Sequence, residues 1–409
     1  MKTTDRRMML RGVVATAVTA VALSAGTALA QDKVRIGYAV SMSGPNAGGA
    51  SITTIPNYEL WVHEVNEAGG LELPDGSRRM IEVVTYDDRS SAEEVVRAVE
   101  RLATQDRVDF ILPPWGTGFN TAVAPLLARF DYPQLAFTSV TDRATEFAQR
   151  WPNTFWMLGG ATDYAENLVG LLSEQLAAGE INNRIAMISV ADGFGIELAT
   201  AARPAFAAAG FELVYDVTYP VPTSDFSPML NEATGRDADT FVAFSYPPHT
   251  FALMQQMQVL NFNVPALYLG VGSAFPGFLA NNGADTVEGI MGLGGIDVNN
   301  ERIIEYRRRH EEVTGRAPDF WGSVIGYASL EMLQEAVRRV GLDRKAVVAE
   351  LRSGTFDTVL GEIQMSDNVL RDLFFTGQWQ DGQFVGVAPV NRAGAVPARL
   401  PKAPWPGGN

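Results

Sequence analysis

Strand-like and helix-like stretches alternate along this chain, and that alternation limits the possible folds more than any other feature. Val34 to Val40 reads as a first strand, followed by a Ser/Gly/Pro loop. Asn57 to Ala68 reads as a helix stopped by Gly69-Gly70. Met80 to Thr85 is a second strand. Ser91 and Glu94 form a capping box for a helix whose apolar stripe is Val95, Val96, Val99, Leu102 and Ala103. Asp109 to Leu112 is a short buried strand, Phe119 to Phe130 a helix that must accommodate Pro125, and Gln134 to Phe137 the next strand. Such a β-α-β-α-β run calls for a parallel sheet covered by helices on both faces.

A second run of the same kind begins near Tyr164. Helices are expected at Tyr164–Leu176, Ile196–Ala209 and His249–Leu260, and strands at Arg184–Val190, Glu212–Thr218, Asp239–Phe244 and Ala266–Leu269. The repetition predicts two similar doubly wound α/β lobes. The helices Asn299–Thr314, Ser323–Val340 and Arg344–Arg352 have little strand between them and need a sheet to pack on. The economical solution returns them to the first lobe and sends Glu362–Met365, Phe374–Trp379 and Gln383–Val387 to the second. The Pro- and Gly-rich tail from Ala393 reads as an extended strap or a frayed end.

Composition removes several function classes. The 409 residues carry 47 acidic against 32 basic side chains, a net charge of −15, which disfavours nucleic acid as a partner. With no cysteine there is no disulfide, thiolate metal site or thiol nucleophile, and the three histidines (His63, His249, His310) spell no metal motif. Lys2, Arg6, Arg7 and Arg11, a short apolar run and Ala28-Leu29-Ala30 compose an export leader over residues 1–30 that resembles a twin-arginine signal. Its removal would take the net charge from −15 to −18 by deleting four bases and Asp5.

The ordered series of local motifs resembles the periplasmic substrate-binding proteins of ABC importers, in the leucine/isoleucine/valine-binding class. The pieces are Ile36-Gly37 with Ser41-Met42-Ser43-Gly44-Pro45, Asn66-Glu67-Ala68-Gly69-Gly70, Tyr86-Asp87-Asp88, Pro133, Asp192-Gly193-Phe194-Gly195, Asp225-Phe226-Ser227 and Glu288-Gly289. The resemblance implies two Rossmann-like lobes joined by a three-strand hinge and closing over a small ligand, the type I periplasmic binding fold. On that pattern, residues 31–156 with 297–358 form lobe 1, and 157–296 with 359–409 form lobe 2. It also implies a periplasmic monomer without catalysis, cofactor or metal, whose partners are a small carboxylate or amino acid and an inner-membrane ABC permease.

Ligands of open α/β sheets sit beyond the carboxyl ends of the strands. That rule selects the loop holding Ser41, the loop Pro113–Gly118, and Thr138–Thr141 in the first lobe. In the second it selects the loops holding Phe194, Tyr246 and Gly272. The loop at Trp115-Gly116-Thr117 runs into a helix, whose N-terminal N–H groups suit an anion. The resemblance assigns Gly116, Thr117, Ser139 and Thr141 to a ligand carboxylate, and Phe194 and Tyr246 to aromatic walls. Plain packing remains the alternative for Trp115, and simple capping for Ser139 and Thr141.

One departure bears on the ligand. Amino-acid binders of this class place an acid near Gly272 to pair the ligand's ammonium, and no acid lies between Leu269 and Gly283 here. An unpaired buried ammonium costs several kcal/mol. Either another acid, with Asp192 nearest, takes that role, or the ligand is a carboxylate without an ammonium, aromatic or branched given Trp115, Phe194, Tyr246 and Trp321; neutral amides are also permitted. Asp87-Asp88 and Glu93-Glu94 read as solvated helix-start charges. Within Glu301–Glu312, Ile303 and Ile304, with Val313 just beyond, are the residues to bury, and His310 is expected to be exposed. Two rival functions stay open at this level: a ligand-sensing lobe pair for a separate membrane receptor, and a secreted α/β hydrolase.

Overall fold

Val34–Val40 divides its side chains between two cores. Val34, Ile36, Tyr38 and Val40 enter one, and Ala39 the other, the period-two alternation of a strand covered on both faces. The computed structural model describes residues 33–406, so the expected leader lies outside the described residues. Val34–Val40 is the centre of a parallel trio, flanked by Ile81–Asp87 and Phe110–Leu112. Gln134–Ala136 and Thr154–Trp156 pair in parallel beyond them. On one face, Val95 and Val99 of the helix Ala92–Arg101 meet Val123 and Leu127 of the helix Thr117–Arg129, which runs through Pro125. On the other face, Tyr58, Trp61 and Val65 of the helix Ile55–Glu67 enter the larger core with the helix Gly322–Val340.

The second sheet has seven strands in the order Gln383–Ala388, Thr376–Gln380, Met291–Leu293, Ala266–Leu269, Thr240–Phe244, Arg184–Val190, Glu212–Tyr219. Five are parallel, and the last hairpin of the chain adds two antiparallel strands at one edge. Asp381 and Gly382 connect that hairpin with positive φ at both positions (52° and 78°), a turn whose twist matches the flanking strands. The fold is thus a bilobed α/β structure with the expected strand–helix alternation. The tail is a strap: Lys402 N–H donates to the Pro265 carbonyl, and the buried Trp405 indole donates to the Phe262 carbonyl.

The late helices return to the first lobe. Tyr306 Oη donates to Asn57 Oδ1 at 2.8 Å, and Trp61 Nε1 to Gln334 Oε1 at 2.9 Å, tying Glu301–Thr314 and Gly322–Val340 to Ile55–Glu67. Arg344 at the start of the helix Arg344–Ser353 donates to the carbonyls of Asp109 and Val108. The strand expected at Glu362–Met365 does not join the second sheet. Gly361–Gln364 forms a hairpin with Thr355–Thr358, and Asn368 donates to the carbonyls of Pro152 and Thr154, so this segment stays with the first.

Four side chains differ from the sequence reading: His310, Ile304, Val313 and Asp88. His310 is fully buried: with Ile303 and Tyr306 it completes a stripe at i, i+3 and i+7, while Ile304 and Val313 face solvent. Its Nδ1–H donates to the Arg316 carbonyl at 2.8 Å, and burial pushes its pKa down to about 4. Asp88 is buried rather than solvated, accepting Ser41 Oγ at 2.6 Å and Ser90 N–H at 2.8 Å.

Glu331, on Gly322–Val340, accepts the Val359 N–H at 2.7 Å. Burial, with Glu64 and Asp357 nearby, raises its pKa from the usual 4.5 to about 7. A folded-state pKa above the unfolded one means that the carboxyl's contribution is complete below pH 4.5 and is lost as pH rises to about 7. Glu331→Gln keeps an acceptor for Val359 without the charge. We expect Glu331→Gln to match the parent at pH 4.5 and to exceed its unfolding free energy at pH 8 by on the order of 2 kcal/mol, measured in denaturant. A pH-independent difference would refute the assignment.

Candidate functional site

The carboxyl ends of the strands in both lobes converge on one cleft. In the first lobe, Phe110–Leu112 leads through Pro113–Gly116 into the helix Thr117–Arg129. This loop is held from several sides. Tyr58 Oη donates to the Pro113 carbonyl at 2.6 Å, Gly116 N–H to Thr138 Oγ1 at 3.1 Å, and Asn120 Nδ2 to the carbonyls of Pro114 and Gly116. Gly116 adopts φ 96°, ψ 150°, a conformation essentially reserved for glycine. Having no side chain, it leaves the helix uncapped, so the first-turn N–H groups face the cleft as donors at the positive end of the helix.

The second lobe brings Arg184–Val190 into the helix Gly193–Ala208, and Thr240–Phe244 into the helix Pro247–Val259. Asp192 caps the former, accepting Gly195 N–H at 3.0 Å through Oδ1. Its other oxygen accepts the hydroxyl of Tyr246. Burial holds the Asp192 carboxyl above its usual range, and the bond from Tyr246 opposes that shift.

The two lobes touch across this cleft. A Cβ on Gly193 would lie 3.6 Å from Gly118 Cα. Thr141 Oγ1 donates to Glu197 Oε1 at 3.0 Å, and Asp142 N–H to Glu197 Oε2 at 3.4 Å, a latch between lobes. Between them remains a cavity of about 20 Å³, room for one water. Aromatic rings fill the rest: Phe194 stacks on Tyr246 at 5.2 Å and 19°, and Trp115 approaches Tyr246 at 5.2 Å and 53°. Among the described residues, no carboxylate, guanidinium or ammonium lines the cavity.

Of the residues singled out from sequence, Trp115, Gly116, Thr117, Phe194 and Tyr246 line this cavity together. The others stand aside. Ser41 is committed to Asp88. Thr141 belongs to the Glu197 latch. Ser139 lies fully buried between two lining residues, Thr138 and Val140, with its Oγ unpartnered. Gly272 packs under Pro247, whose Cα would lie 2.9 Å from an added Cβ, and Val271 lines the cavity in its place. Trp321, named only as an additional aromatic, is also in the lining.

Thr53 was missed. It lies on the short helix Ala47–Thr53, where a Ser/Gly/Pro loop was expected, and its Oγ1 accepts Trp115 Nε1–H at 3.1 Å. The Trp115 indole rests on Gly49 so closely that a Cβ there would fall 2.1 Å from Cζ2. The heptapeptide AGGASIT has no helical apolar stripe, so the sequence carried no signal for this support.

The model of a family described as periplasmic binding protein matches residues 33–383. The chain belongs to that family. It is accordingly an extracytoplasmic, periplasmic solute-binding protein and not an enzyme. Among curated relatives it is similar to Leu/Ile/Val-binding protein homolog 7 of Brucella abortus (strain 2308), 24% identical over 94% of this chain and 98% of the relative. A branched-chain amino acid transporter substrate-binding protein from Streptococcus pneumoniae, in complex with isoleucine, superimposes with TM-score 0.72 at 19% identity, covering 86% of this chain and 98% of the other. An ABC transporter solute-binding protein from R. palustris, in complex with benzoate, gives TM-score 0.71 at 19% identity over 87% and 96%. Another from Rhodopseudomonas palustris BisB5, in complex with 3,4-dihydroxybenzoic acid, gives 0.71 at 18% over 87% and 95%. At these identities the solved structures establish the type I bilobed fold of this periplasmic binding protein.

Proposed function

We propose that this periplasmic binding protein is the solute-capturing component of an ABC importer, exported by the leader at residues 1–30, and that its ligand is a small carboxylate lacking an ammonium, aromatic or branched. The ligand carboxylate would take the first-turn N–H groups at Thr117 and Gly118, while Trp115, Phe194 and Tyr246 wall the remainder. Residues 33–156 with 297–370, and 157–296 with 371–406, serve as the two lobes. Hinge closure brings the aromatic loops of the second onto the helix end of the first, and only the closed form offers a permease both lobe faces together.

The observation carrying the ligand class is the state of Asp192. It is the acid nearest the cavity on sequence grounds, and both its oxygens are engaged, one by Gly195 N–H and one by Tyr246 Oη. An ammonium would meet an uncharged aromatic lining with no free carboxylate, at a desolvation cost of several kcal/mol. A planar or branched apolar body fits that lining, and relatives of the same fold are described with benzoate and 3,4-dihydroxybenzoic acid as well as isoleucine. Thermal-shift and calorimetric titration with aromatic acids, branched 2-oxo and aliphatic acids, and the matching amino acids tests the assignment. Stabilisation by the acids, with ligand mass unchanged after incubation, is the expected result. Stabilisation by leucine-like amino acids but not by their des-amino analogues would overturn it.

A further inference from the structure

Among the described residues, Tyr246 alone is shared by the lining of the inner cavity and that of a second recess, about 210 Å³, at the partly exposed rim of the cleft. The recess is built from both lobes: Pro45 and Asn46 from the first, and Pro222, Thr223, Ser224 and His249 from the second. None of its side chains is ionised. His249 Nε2–H donates to the Val221 carbonyl at 2.7 Å, while Nδ1 faces Tyr219 Oη at 3.3 Å and Tyr246 N–H at 3.4 Å, so both ring nitrogens are engaged in the neutral form. Burial also lowers the pKa of this ring. An uncharged patch on a chain of net charge −15, with prolines on two sides and amide and hydroxyl groups between them, suits a neutral hydrogen-bonding group on an apolar stem.

The inner cavity, at about 20 Å³, cannot hold any organic solute while the Tyr246 ring stays where it is. A solute gripped at Thr117 must push that ring aside, and moving the ring joins the two spaces. Building on the carboxylate reading above, we infer that the binding site has two compartments, with the rim recess receiving the distal end of the ligand. The solute is therefore a monocarboxylate that carries an uncharged polar extension, such as an amide or hydroxyl, at the end opposite its carboxylate. A second charge at that end is rejected, because it would be desolvated against prolines and a neutral imidazole without a counter-ion.

Calorimetry on the full chain with benzoate, 4-acetamidobenzoate and terephthalate tests this. The expected order is 4-acetamidobenzoate tighter than benzoate by tenfold or more, with terephthalate weakest. Asn46→Phe and Ser224→Phe, which fill the recess from opposite lobes, should each collapse the preference for 4-acetamidobenzoate over benzoate to near unity; having two variants guards against one that fails to fold. Equal affinity for benzoate and 4-acetamidobenzoate, tight binding of terephthalate, or a preference that survives both substitutions would overturn the two-compartment site while leaving the carboxylate reading standing. No binding by any of the three acids would overturn the two-compartment site together with the aromatic form of the carboxylate reading.

Discussion

Gly116→Ala should abolish high-affinity binding of carboxylate ligands, lowering affinity a hundredfold or more, with a loss of about 1–3 kcal/mol in stability. The cause is backbone conformation rather than collision. At φ 96°, ψ 150°, an alanine is strained whatever the space around it, yet its Cβ would meet only Tyr246 Oη, at an ordinary 3.9 Å. The strain cannot relax cheaply, because Gly116 N–H is bonded to Thr138 Oγ1 and the Gly116 carbonyl to Asn120. Any rotation that relieves the alanine breaks these bonds and turns the first-turn N–H groups away from the cleft. Gly118→Ala provides the contrast: it has no positive φ and open space for a Cβ, so stability should hold or rise slightly. Isothermal titration with benzoate and denaturant unfolding measure both quantities. Undiminished affinity in Gly116→Ala would remove this helix end from the binding site.

Most of the architecture was legible because it rests on local patterns. Alternating strands with buried faces, glycine stops and the Ser91 cap, which accepts Glu94 N–H, mark element positions without reference to the rest of the chain. What failed depended on partners far away in sequence. Glu362–Met365 has the alternation of any strand, and only pairing with Thr355–Thr358 decides which lobe owns it. His310 looks solvated inside a run of arginines and glutamates, but the helix buries it beside Tyr306, which itself bonds Asn57 and packs on Tyr327 of the first lobe.

The site shows the same division. Strand-end loops could be located from topology, and five of the residues chosen there share one cavity. Which member of a loop turns inward could not be read. Val271 does so instead of Gly272, and Thr138 and Val140 instead of Ser139, because the choice depends on side-chain packing against Pro247 and on the bond from Val140 N–H to Thr117 Oγ1. Thr141 was drawn away by Glu197, a residue of the opposite lobe that no local pattern connects with it.

Trp115→Ala should reduce affinity for aromatic acids a hundredfold or more while costing only part of the 3–5 kcal/mol typical of a core tryptophan. The indole is 3% exposed, rests against Gly49, donates to Thr53 and faces the Tyr246 ring. Two of those three contacts are within the first lobe and persist when the cleft opens; the third exists only when it closes. Truncation therefore takes packing from both forms, but it strips one wall of the binding site from the closed form alone. Water enters the void in the open form and must be expelled again on closure, so the penalty falls mainly on ligand-driven closure. Calorimetry with benzoate, alongside melting of the free protein, separates the effects. A lowered melting temperature with unchanged affinity would mean that Trp115 only packs the lobe edge. A large affinity loss with a small melting shift places the indole against the ligand, where the Gly49 seat and the Thr53 bond hold it ready before any solute arrives.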